Sequence, residues 1–206
     1  MEKDNSRSIK IASLASGRGS NLQAIMDACA SGAINGSVVL VLTDNPEAYA
    51  IERAKASGIP FKVIPRKGFN SRESFDSALA DAVEESGADL VCLAGFMRVI
   101  SPTFLSRFPG RVINIHPALL PSFPGLHAQR QALEHGVKVT GCTVHFVDEG
   151  VDTGPIIAQS AVEVLPGDTE ETLSARILRH EHSLYPKAIQ MISSGILAVS
   201  SSGKKA

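Results

Sequence analysis

Short apolar runs alternate with segments of helical periodicity through the first half of the chain, and this alternation constrains the fold more than any other feature. The runs Ile9–Ala15, Val38–Leu42, Phe61–Ile64 and Leu90–Ala94 predict strands. Between them, apolar residues recur three and four positions apart, as they do on one face of a helix. We therefore predict an α/β fold, with an open, mostly parallel, twisted sheet and helices on both faces.

The second half of the chain departs from this pattern. Five of the eleven prolines fall between residues 102 and 124, where only Arg111–Ile115 has the character of a strand. Because proline cannot donate to a strand ladder, we expect His116–His127 to be a long irregular loop, and loops of that length are usually functional. Thr140–Val147 and Pro155–Val162 predict further strands of the same sheet, so its C-terminal strands should be mixed or antiparallel.

Two pairs of residues have the spacing of a capping box at the start of a helix. In a capping box the first side chain accepts the backbone N–H three residues later, and the side chain at that later position accepts the first residue's backbone N–H. The first pair is Asn70 and Glu73, and the second is Asp168 and Glu171. The sequence therefore predicts a helix after each pair, the second of them long.

Composition limits the class of protein and its partners. The chain has 206 residues, a hydrophobic fraction of 44% and a net charge of −1, which suits one domain with a sizeable core. That charge excludes binding to nucleic acid or membranes mainly through bulk charge, although it leaves room for a local basic patch, and no apolar run is long enough to span a bilayer. We expect a single domain over residues 1–206 with loose tails at 1–8 and 200–206. We also expect a cytoplasmic monomer or homodimer with reduced cysteines and small-molecule partners.

Three segments leave predicted parallel strands at the same edge of the sheet. They are Gly17–Asn21, Gly95–Ile100 and Asn114–Pro117. Ligands of open parallel sheets bind beyond the carboxyl ends of the strands, near the point where the strand order reverses. We therefore expect these segments to meet and to form the functional site.

Gly17 and Gly19 lie in a turn between a predicted strand and a predicted helix. Free N–H groups and the helix dipole make such a turn suitable for a phosphate, although a plain tight turn would also account for the glycines. The third glycine of a dinucleotide fingerprint is replaced by Leu22, and the lysine of a nucleotide-binding P-loop is missing. A monophosphate on a small substrate fits this turn best.

Asn114 and His116 point to the same face at the end of a predicted strand. An imidazole can hold or give a proton near neutral pH, and an amide can donate to a developing oxyanion. The alternative is a structural histidine bonded to loop carbonyls. The paired asparagine and the proline-rich loop favour the catalytic interpretation.

Asp152 lies in the glycine-containing turn between the last two predicted strands. If its carboxylate meets His116, it would favour the imidazolium and raise the pKa of that histidine, whereas an ordinary turn residue would do neither. A metal site built from His116, His127, His145 and Asp152 is a rival, but the chain lacks the usual ligand spacings, so we expect no metal. A serine hydrolase is also unsupported, because no G-x-S-x-G motif occurs.

Two charged residues lie where folding alone would not place them. Arg72 falls in the first turn of a helix, where a cation opposes the dipole, and Glu181 lies on an apolar helix face. A ligand anion near Arg72 and a ligand amine near Glu181 would explain both positions. A solvated arginine and a salt-bridged glutamate are the plainer alternatives.

Four motifs carry a family resemblance that extends from about Ile9 to Leu197. The motifs are Ser16–Gln23, Leu93–Arg98, Ile113–Pro121 and the stretch from His145 to Pro155. With them the chain resembles the folate-dependent formyltransferases, and within these the glycinamide ribonucleotide transformylases of purine synthesis. The third motif is shared across folate formyltransferases, whereas the first points to the ribonucleotide enzymes.

The resemblance implies a Rossmann-like formyltransferase fold and transfer of a formyl group from the co-substrate 10-formyltetrahydrofolate to the amine of glycinamide ribonucleotide. It implies no metal. The implied catalytic residues are Asn114, His116 and Asp152. Those implied for the ribonucleotide are Gly19, Ser20, Asn21, Leu178, Arg179, His180 and Glu181. Those implied for the folate are Arg72, Met97, Arg98, Val99, Ile100, Asn114, Asp148, Glu149, Gly150, Val151 and Asp152.

Several functions outside this one remain as alternatives at the level of sequence. Transfer RNA and sugar-nucleotide formyltransferases share the Asn-x-His-Pro group, and a formyltetrahydrofolate hydrolase is similar in the catalytic half. The transfer RNA enzymes and the hydrolase each usually carry an additional domain, for which this length leaves no room. From a different class, a nucleotide-binding module without catalysis would tolerate the loss of His116.

Overall fold

The computed structural model describes residues 8–195, which build one seven-stranded sheet with the strand order β3-β2-β1-β4-β5-β6-β7. The strands are β1 (Ile9–Leu14), β2 (Gly36–Thr43), β3 (Phe61–Val63), β4 (Leu90–Leu93), β5 (Val112–His116), β6 (Val139–Phe146) and β7 (Ile156–Glu163). The first five strands pair in parallel, β6 is antiparallel to β5, and β7 is antiparallel to β6. The predicted mostly parallel sheet with antiparallel C-terminal strands is confirmed.

Helices cover both faces of the sheet, as predicted. They are α1 (Ser20–Ala30), α2 (Ala50–Ala56), α3 (Arg72–Ser86), α4 (Pro102–Leu105), α5 (Ala128–Glu134) and α6 (Glu170–Ser193). One core lies between the sheet and α1 and α6, with Ile25 and Ile177 fully buried, and the other lies under α3, with Phe75 and Leu79. Because both faces are covered, the central strands are apolar on both sides rather than alternating.

The helix caps differ from the prediction. The hydroxyl of Ser71, not the side chain of Asn70, caps α3 by accepting the Ser74 N–H at 3.0 Å. Thr169 and Thr172 form the capping box of α6, because Asp168 is instead held by Arg176 at 2.7 Å. The two predicted boxes were each wrong by one residue.

The short helices α4 and α5 were not predicted, because four and seven residues are too few to show a helical period. Cys92 and Cys142 are buried, whereas Cys29 is only half-buried, and all three are free thiols. The predicted tails lie, apart from Ser8, outside the described residues. Between residues 8 and 195, no helix has the length and apolar character needed to cross a membrane.

The strand order reverses between β1 and β4, and the loops that leave these strands are joined there. The Ser16 N–H donates to the Gly95 carbonyl at 3.0 Å, and the Met97 N–H donates to the Ser16 hydroxyl at 3.0 Å. The predicted meeting of the glycine turn with the Gly95–Ile100 segment is thereby confirmed. The candidate site is built on this edge of the sheet.

Candidate active site

A cavity of about 380 Å³ opens beyond the carboxyl ends of β4 and β5. The segments Gly95–Ile100 and Asn114–Pro117 line it, together with residues from the loops that precede α5 and follow β6. Its rim carries exposed apolar side chains, among them Met97 at 71% and Leu126 at 75% exposure. Apolar walls around a polar floor suit a flat, largely apolar ring system with polar edges.

His116 and Asp152 form an ion-pair contact on the floor of this cavity. Nδ1 of His116 lies 3.2 Å from an Asp152 carboxylate oxygen, and both side chains are largely buried. The backbone of Asp152 is left-handed, with φ of 56°, a conformation that aspartate tolerates better than most residues. The same carboxylate oxygen accepts the Gly125 N–H at 2.8 Å, so the loop before α5 also holds it.

The second ring nitrogen of His116 is engaged as well. Nε2 lies 2.8 Å from the carbonyl oxygen of Phe123, whose own backbone is left-handed at φ of 56°. Since a carboxylate and a carbonyl can only accept, a neutral imidazole satisfies one of them and an imidazolium satisfies both.

Burial is the largest influence on His116 and lowers its pKa. The charge of Asp152 and the Phe123 carbonyl act to raise the pKa, and the charge of His145 adds to the lowering. The net direction is downward: Asp152 acts to raise the pKa of His116, as expected, but burial lowers it by more. The physical reason is that removing a cation from water outweighs one partly buried carboxylate.

The pKa of the Asp152 carboxyl is lowered, which favours the ionised form. Burial acts to raise its pKa, but hydrogen bonds from His145 and Gly125 and the charges of His116 and His145 lower the pKa by more. Asp152 is therefore a carboxylate throughout the neutral range.

Asn114 lies directly opposite His145 in the β5–β6 register. The Asn114 amide nitrogen lies 3.3 Å from Nε2 of His145, while Nδ1 of His145 lies 2.9 Å from the Phe146 carbonyl. In the neutral ring that carbonyl places the proton on Nδ1, and Nε2 accepts from the Asn114 amide; in the charged ring Nε2 also carries a proton and faces the Asp152 carboxylate 3.5 Å away. The second amide hydrogen of Asn114 has no acceptor among the described residues and is available to a ligand.

Gly19 begins α1 in a left-handed conformation, with φ of 65°. A side-chain carbon at this position would lie 2.9 Å from Cβ of Ala50, so both space and backbone require glycine. Arg53 steadies the turn by donating to the Arg18 carbonyl at 2.8 Å and to the Gln23 side chain at 2.9 Å. A helix start leaves N–H groups without intrahelical acceptors, the arrangement that commonly binds anions.

Asn21 and Glu181 connect this turn to α6. The Asn21 amide donates to the Glu181 carboxylate at 2.7 Å, and both side chains are buried. Burial raises the pKa of Glu181, and the bond from Asn21 opposes that shift. The oxygen of the Asn21 amide is buried without a hydrogen-bond partner among residues 8–195.

Tyr185, one helical turn after Glu181, joins α6 to the sheet. Its fully buried hydroxyl lies 3.1 Å from the carbonyls of Leu93, at the end of β4, and of Ile113, near the start of β5. The helix that carries Glu181 is therefore tied to the two strands from which the cavity opens.

Comparison with known proteins identifies the family of this chain. The family model described as formyl transferase matches residues 9–189. This chain belongs to the formyl transferase family.

The phosphoribosylglycinamide formyltransferase of Escherichia coli is 45% identical over 189 residues, which cover 92% of this chain and 89% of that protein. The structure of glycinamide ribonucleotide transformylase 1 from Symbiobacterium toebii has a TM-score of 0.92 at 54% identity, covering 94% and 92% of the two chains. The trifunctional purine biosynthetic protein of Drosophila melanogaster is 51% identical, but this formyl transferase spans only 14% of its length.

Most of the predicted folate residues of this formyl transferase line the cavity. Only Arg72 and Glu149 do not. Arg72 donates to the Val99 carbonyl at 2.7 Å and lies 3.9 Å from Asp76, so its side chain is held by the protein rather than simply solvated. Those that line the cavity are Met97, Arg98, Val99, Ile100, Asn114, Asp148, Gly150, Val151 and Asp152.

The predicted ribonucleotide residues lie outside the 380 Å³ cavity. Ser20 lines a separate groove of about 630 Å³ between α1 and α6. The Nδ1 atom of His180 lies 2.8 Å from the Ser160 hydroxyl, Leu178 is half-buried and Arg179 is exposed. Glu181 and Asn21 are joined to each other rather than to the catalytic group.

The structure adds three residues to the candidate site of this formyl transferase. His145 contacts Asn114 and lies 3.5 Å from the Asp152 carboxylate. The sequence held one signal for this residue: Thr143 and His145 alternate along β6, which places both side chains on the same face of the sheet beside β5. Arg53 and His182 line the groove beside Ser20, and Nε2 of His182 is buried with no partner in the described part of the chain. No sequence pattern marks these two.

The rival metal assembly finds no support in the described ranges. Between residues 8 and 195, no group of three or more histidine, cysteine, aspartate or glutamate side chains is arranged to hold a metal ion. His127 lies in a left-handed position at the start of α5.

Proposed function

We propose that this chain transfers the formyl group of 10-formyltetrahydrofolate to the amine of N1-(5-phospho-D-ribosyl)glycinamide, in de novo purine biosynthesis. The observation that carries the proposal is the His116–Asp152 pair, which lies beside Asn114 on the floor of an apolar-rimmed cavity. The near-full-length relatives that are named for this reaction support the same choice of substrates.

The cavity beside the catalytic group suits the folate. A pterin ring is flat and has polar edges, and the walls offer apolar side chains with backbone groups between them. Met97 and Val99 on one side and Leu126 and Val151 on the other are exposed and able to contact the ring and its benzoyl linker.

The glycine turn and α6 suit the ribonucleotide. The N–H groups at the start of α1 would bind its phosphate, and Glu181, held by Asn21, would accept a hydrogen bond from its amine. Holding the phosphate far from the reacting atoms supplies positioning energy at a distance from the chemistry.

The catalytic group then has three tasks. An α-amino group has a pKa of about 8, so a substantial neutral fraction exists near pH 7 without a strong base. Attack on the formyl carbon creates a tetrahedral oxyanion, which the free N–H of Asn114 and the ring of His116 would stabilise. As the carbon–nitrogen bond to the folate breaks, N10 gains one proton and the former amine loses one, and His116 would carry this proton between them.

To carry this proton, His116 must give up its contact with the Phe123 carbonyl. Its Nδ1 faces Asp152, so the nitrogen that can turn to a substrate is Nε2, which now contacts the Phe123 carbonyl. Binding of the co-substrate would replace this carbonyl, while Asp152 keeps the ring oriented and stabilises its charged form.

One assay tests the proposal. The protein is mixed with glycinamide ribonucleotide and 10-formyltetrahydrofolate, and deformylation of the folate is followed together with appearance of the formylated ribonucleotide. We expect both products in equal amounts. Release of free formate when the ribonucleotide is omitted would indicate a hydrolase, and absence of any reaction would indicate a binding module.

A further inference from the structure

Four consecutive residues, Phe123–Leu126, lie against the catalytic pair, and we call this segment the strap. Each of its residues has one backbone group held by a side chain from elsewhere in the chain. The Phe123 carbonyl contacts Nε2 of His116 at 2.8 Å, and the Gly125 N–H donates to Asp152 at 2.8 Å. The end of the strap also lines the 380 Å³ cavity, so it forms part of the wall of the proposed folate site.

Gln131, one turn into α5, holds the other two residues of the strap. Its side-chain amide nitrogen donates to the Pro124 carbonyl at 3.2 Å and to the Leu126 carbonyl at 2.9 Å. These two bonds use both hydrogens of the amide, so the strap fills the donor capacity of the side chain. Because one nitrogen bonds the carbonyls on both sides of Gly125, it fixes the direction of the N–H that Asp152 accepts.

The backbone at both ends of the strap is in an unfavourable conformation. Phe123 and His127 have φ of 56° and 59°, and with Asp152 at 56° they are the non-glycine residues of positive φ within residues 8–195. A left-handed backbone is costly for a residue with a side chain, and it persists only where the surrounding contacts enforce it. The two bonds from Gln131 fall on the residues directly next to Phe123 and His127, where such contacts are needed.

We propose that Gln131 is a positioning residue for the formyl transfer, because it holds the strap in the form that completes the folate wall and directs the Gly125 N–H to Asp152. The inference rests on the proposed function, since the wall matters to the reaction only if the cavity takes the folate. Loss of the Gln131 amide would loosen this wall and weaken folate binding. The Phe123 carbonyl would then leave His116 more readily, which does not slow the proton transfer.

Gln131→Met keeps the length of the side chain and its suitability for a helix, but it removes the N–H groups. Exchange of the Gly125 amide hydrogen with solvent reports directly on the strap. We expect this exchange to be about tenfold faster in Gln131→Met, since two hydrogen bonds are lost. The Leu120 N–H, which Thr143 holds at 3.0 Å before the strap begins, should exchange as in the unmodified protein.

Steady-state kinetics supply the second measurement. In Gln131→Met the KM for 10-formyltetrahydrofolate should rise about fivefold, the equivalent of one or two lost hydrogen bonds, while kcat stays within about twofold. A merely structural role predicts the reverse, because a smaller folded fraction lowers kcat and leaves KM unchanged. Gln131→Lys restores donors for the two carbonyls and should bring both measurements back toward those of the unmodified protein.

Gln190→Met on α6 is the matched control. Gln190 accepts the Asn35 N–H at 2.9 Å, and it lines neither the 380 Å³ cavity nor the groove of about 630 Å³. The same substitution there removes a contact between a glutamine and the backbone at a distance from the strap. It should leave both the Gly125 exchange and the KM unchanged.

Unchanged Gly125 exchange in Gln131→Met would overturn the inference, as would a fall in kcat with an unchanged KM. Equal changes in Gln190→Met would also overturn it, since the effect would then be one of general stability. If the unmodified protein transfers no formyl group, the proposed function falls together with the kinetic part of the inference, whereas Gly125 exchange still decides whether Gln131 holds the strap.

Discussion

The Asn21 amide and the Glu181 carboxylate are joined at 2.7 Å inside the protein, and this bond connects the start of α1 with the middle of α6. Among residues 8–195 it is the one hydrogen bond that this buried carboxylate accepts, far fewer than its two oxygens can accept. A ligand amine would supply the missing donors and a positive charge.

Replacing Glu181 by glutamine tests its proposed role in binding the ribonucleotide. Glu181→Gln should weaken ribonucleotide binding by about tenfold, because a hydrogen bond to a charged group contributes about 1.5 kcal/mol or more. Calorimetric titration with the ribonucleotide measures this loss. Unchanged affinity would remove Glu181 from the binding site.

The same variant tests how the stability of the fold depends on pH. The pKa of Glu181 is raised on folding, so the folded chain is most stable below the ordinary pKa of a glutamate, and it loses stability as the pH rises toward the folded value. Glu181→Gln cannot ionise and should be more stable than the unmodified protein at pH 8 but not at pH 4. Urea unfolding at the two pH values measures the difference, and a glutamine variant that is less stable at pH 8 would contradict it.

Asp152→Asn should lower turnover by about 10² to 10⁴-fold, since an asparagine removes the charge that orients His116 and stabilises its protonated form. Steady-state rates and a folded circular dichroism spectrum measure the two parts of the prediction. Asp81→Asn, at an exposed carboxylate paired with Arg107, is the control and should keep its rate. A near-normal rate in Asp152→Asn would exclude this carboxylate from the mechanism.

His116 should titrate below its ordinary pKa, because burial lowers it. In Asp152→Asn the pKa of His116 should fall further, since the carboxylate that raises it is gone. The ring nitrogen shifts of His116 in NMR spectra measure both values between pH 4 and pH 8. A higher pKa in the variant would mean that Asp152 does not act on His116 through its charge.

Asn114→Ala should reduce turnover by about 10²-fold while ribonucleotide affinity changes little, because the lost N–H acts on the oxyanion that forms only during the reaction. Rates and equilibrium binding are measured on the same preparation. A loss confined to binding would place Asn114 in substrate recognition instead.

Gly19→Ala should destabilise the fold by about 1–2 kcal/mol, the cost of a left-handed backbone for a residue with a side chain. The added carbon would also press on Ala50 at 2.9 Å. Gly17→Ala, in the same turn with open space and no positive φ, should stay within about 0.5 kcal/mol of the unmodified protein. Urea unfolding measures both, and equal effects would argue against the strained start of α1.

Much of the sheet could be predicted because buried parallel strands leave a simple mark in the sequence. Continuous apolar runs at Val38 and Leu90 locate central strands, and period two places Asn114 and His116 on one face. The helix caps were less predictable, because Asn70 and Ser71 are both good caps and only the backbone decides between them.

The contacts across the site could not be predicted, because they depend on register and loop paths. Which residue of β6 faces Asn114 follows from a pairing that spans a proline-rich loop, so the role of His145 stayed hidden. The Phe123 carbonyl on His116 depends on a left-handed backbone that phenylalanine rarely adopts.

The hydroxyl of Tyr185, four positions beyond Glu181, anchors α6 to the carbonyls of Leu93 in β4 and Ile113 in β5 at once. The groups proposed for the acceptor and for the donor are consequently mounted on a common rigid platform, rather than on two bodies that must close on each other. With both proposed substrates docked, the distance between nucleophile and formyl carbon would follow from the architecture of the sheet, while the loop that carries Phe123 would adjust around His116.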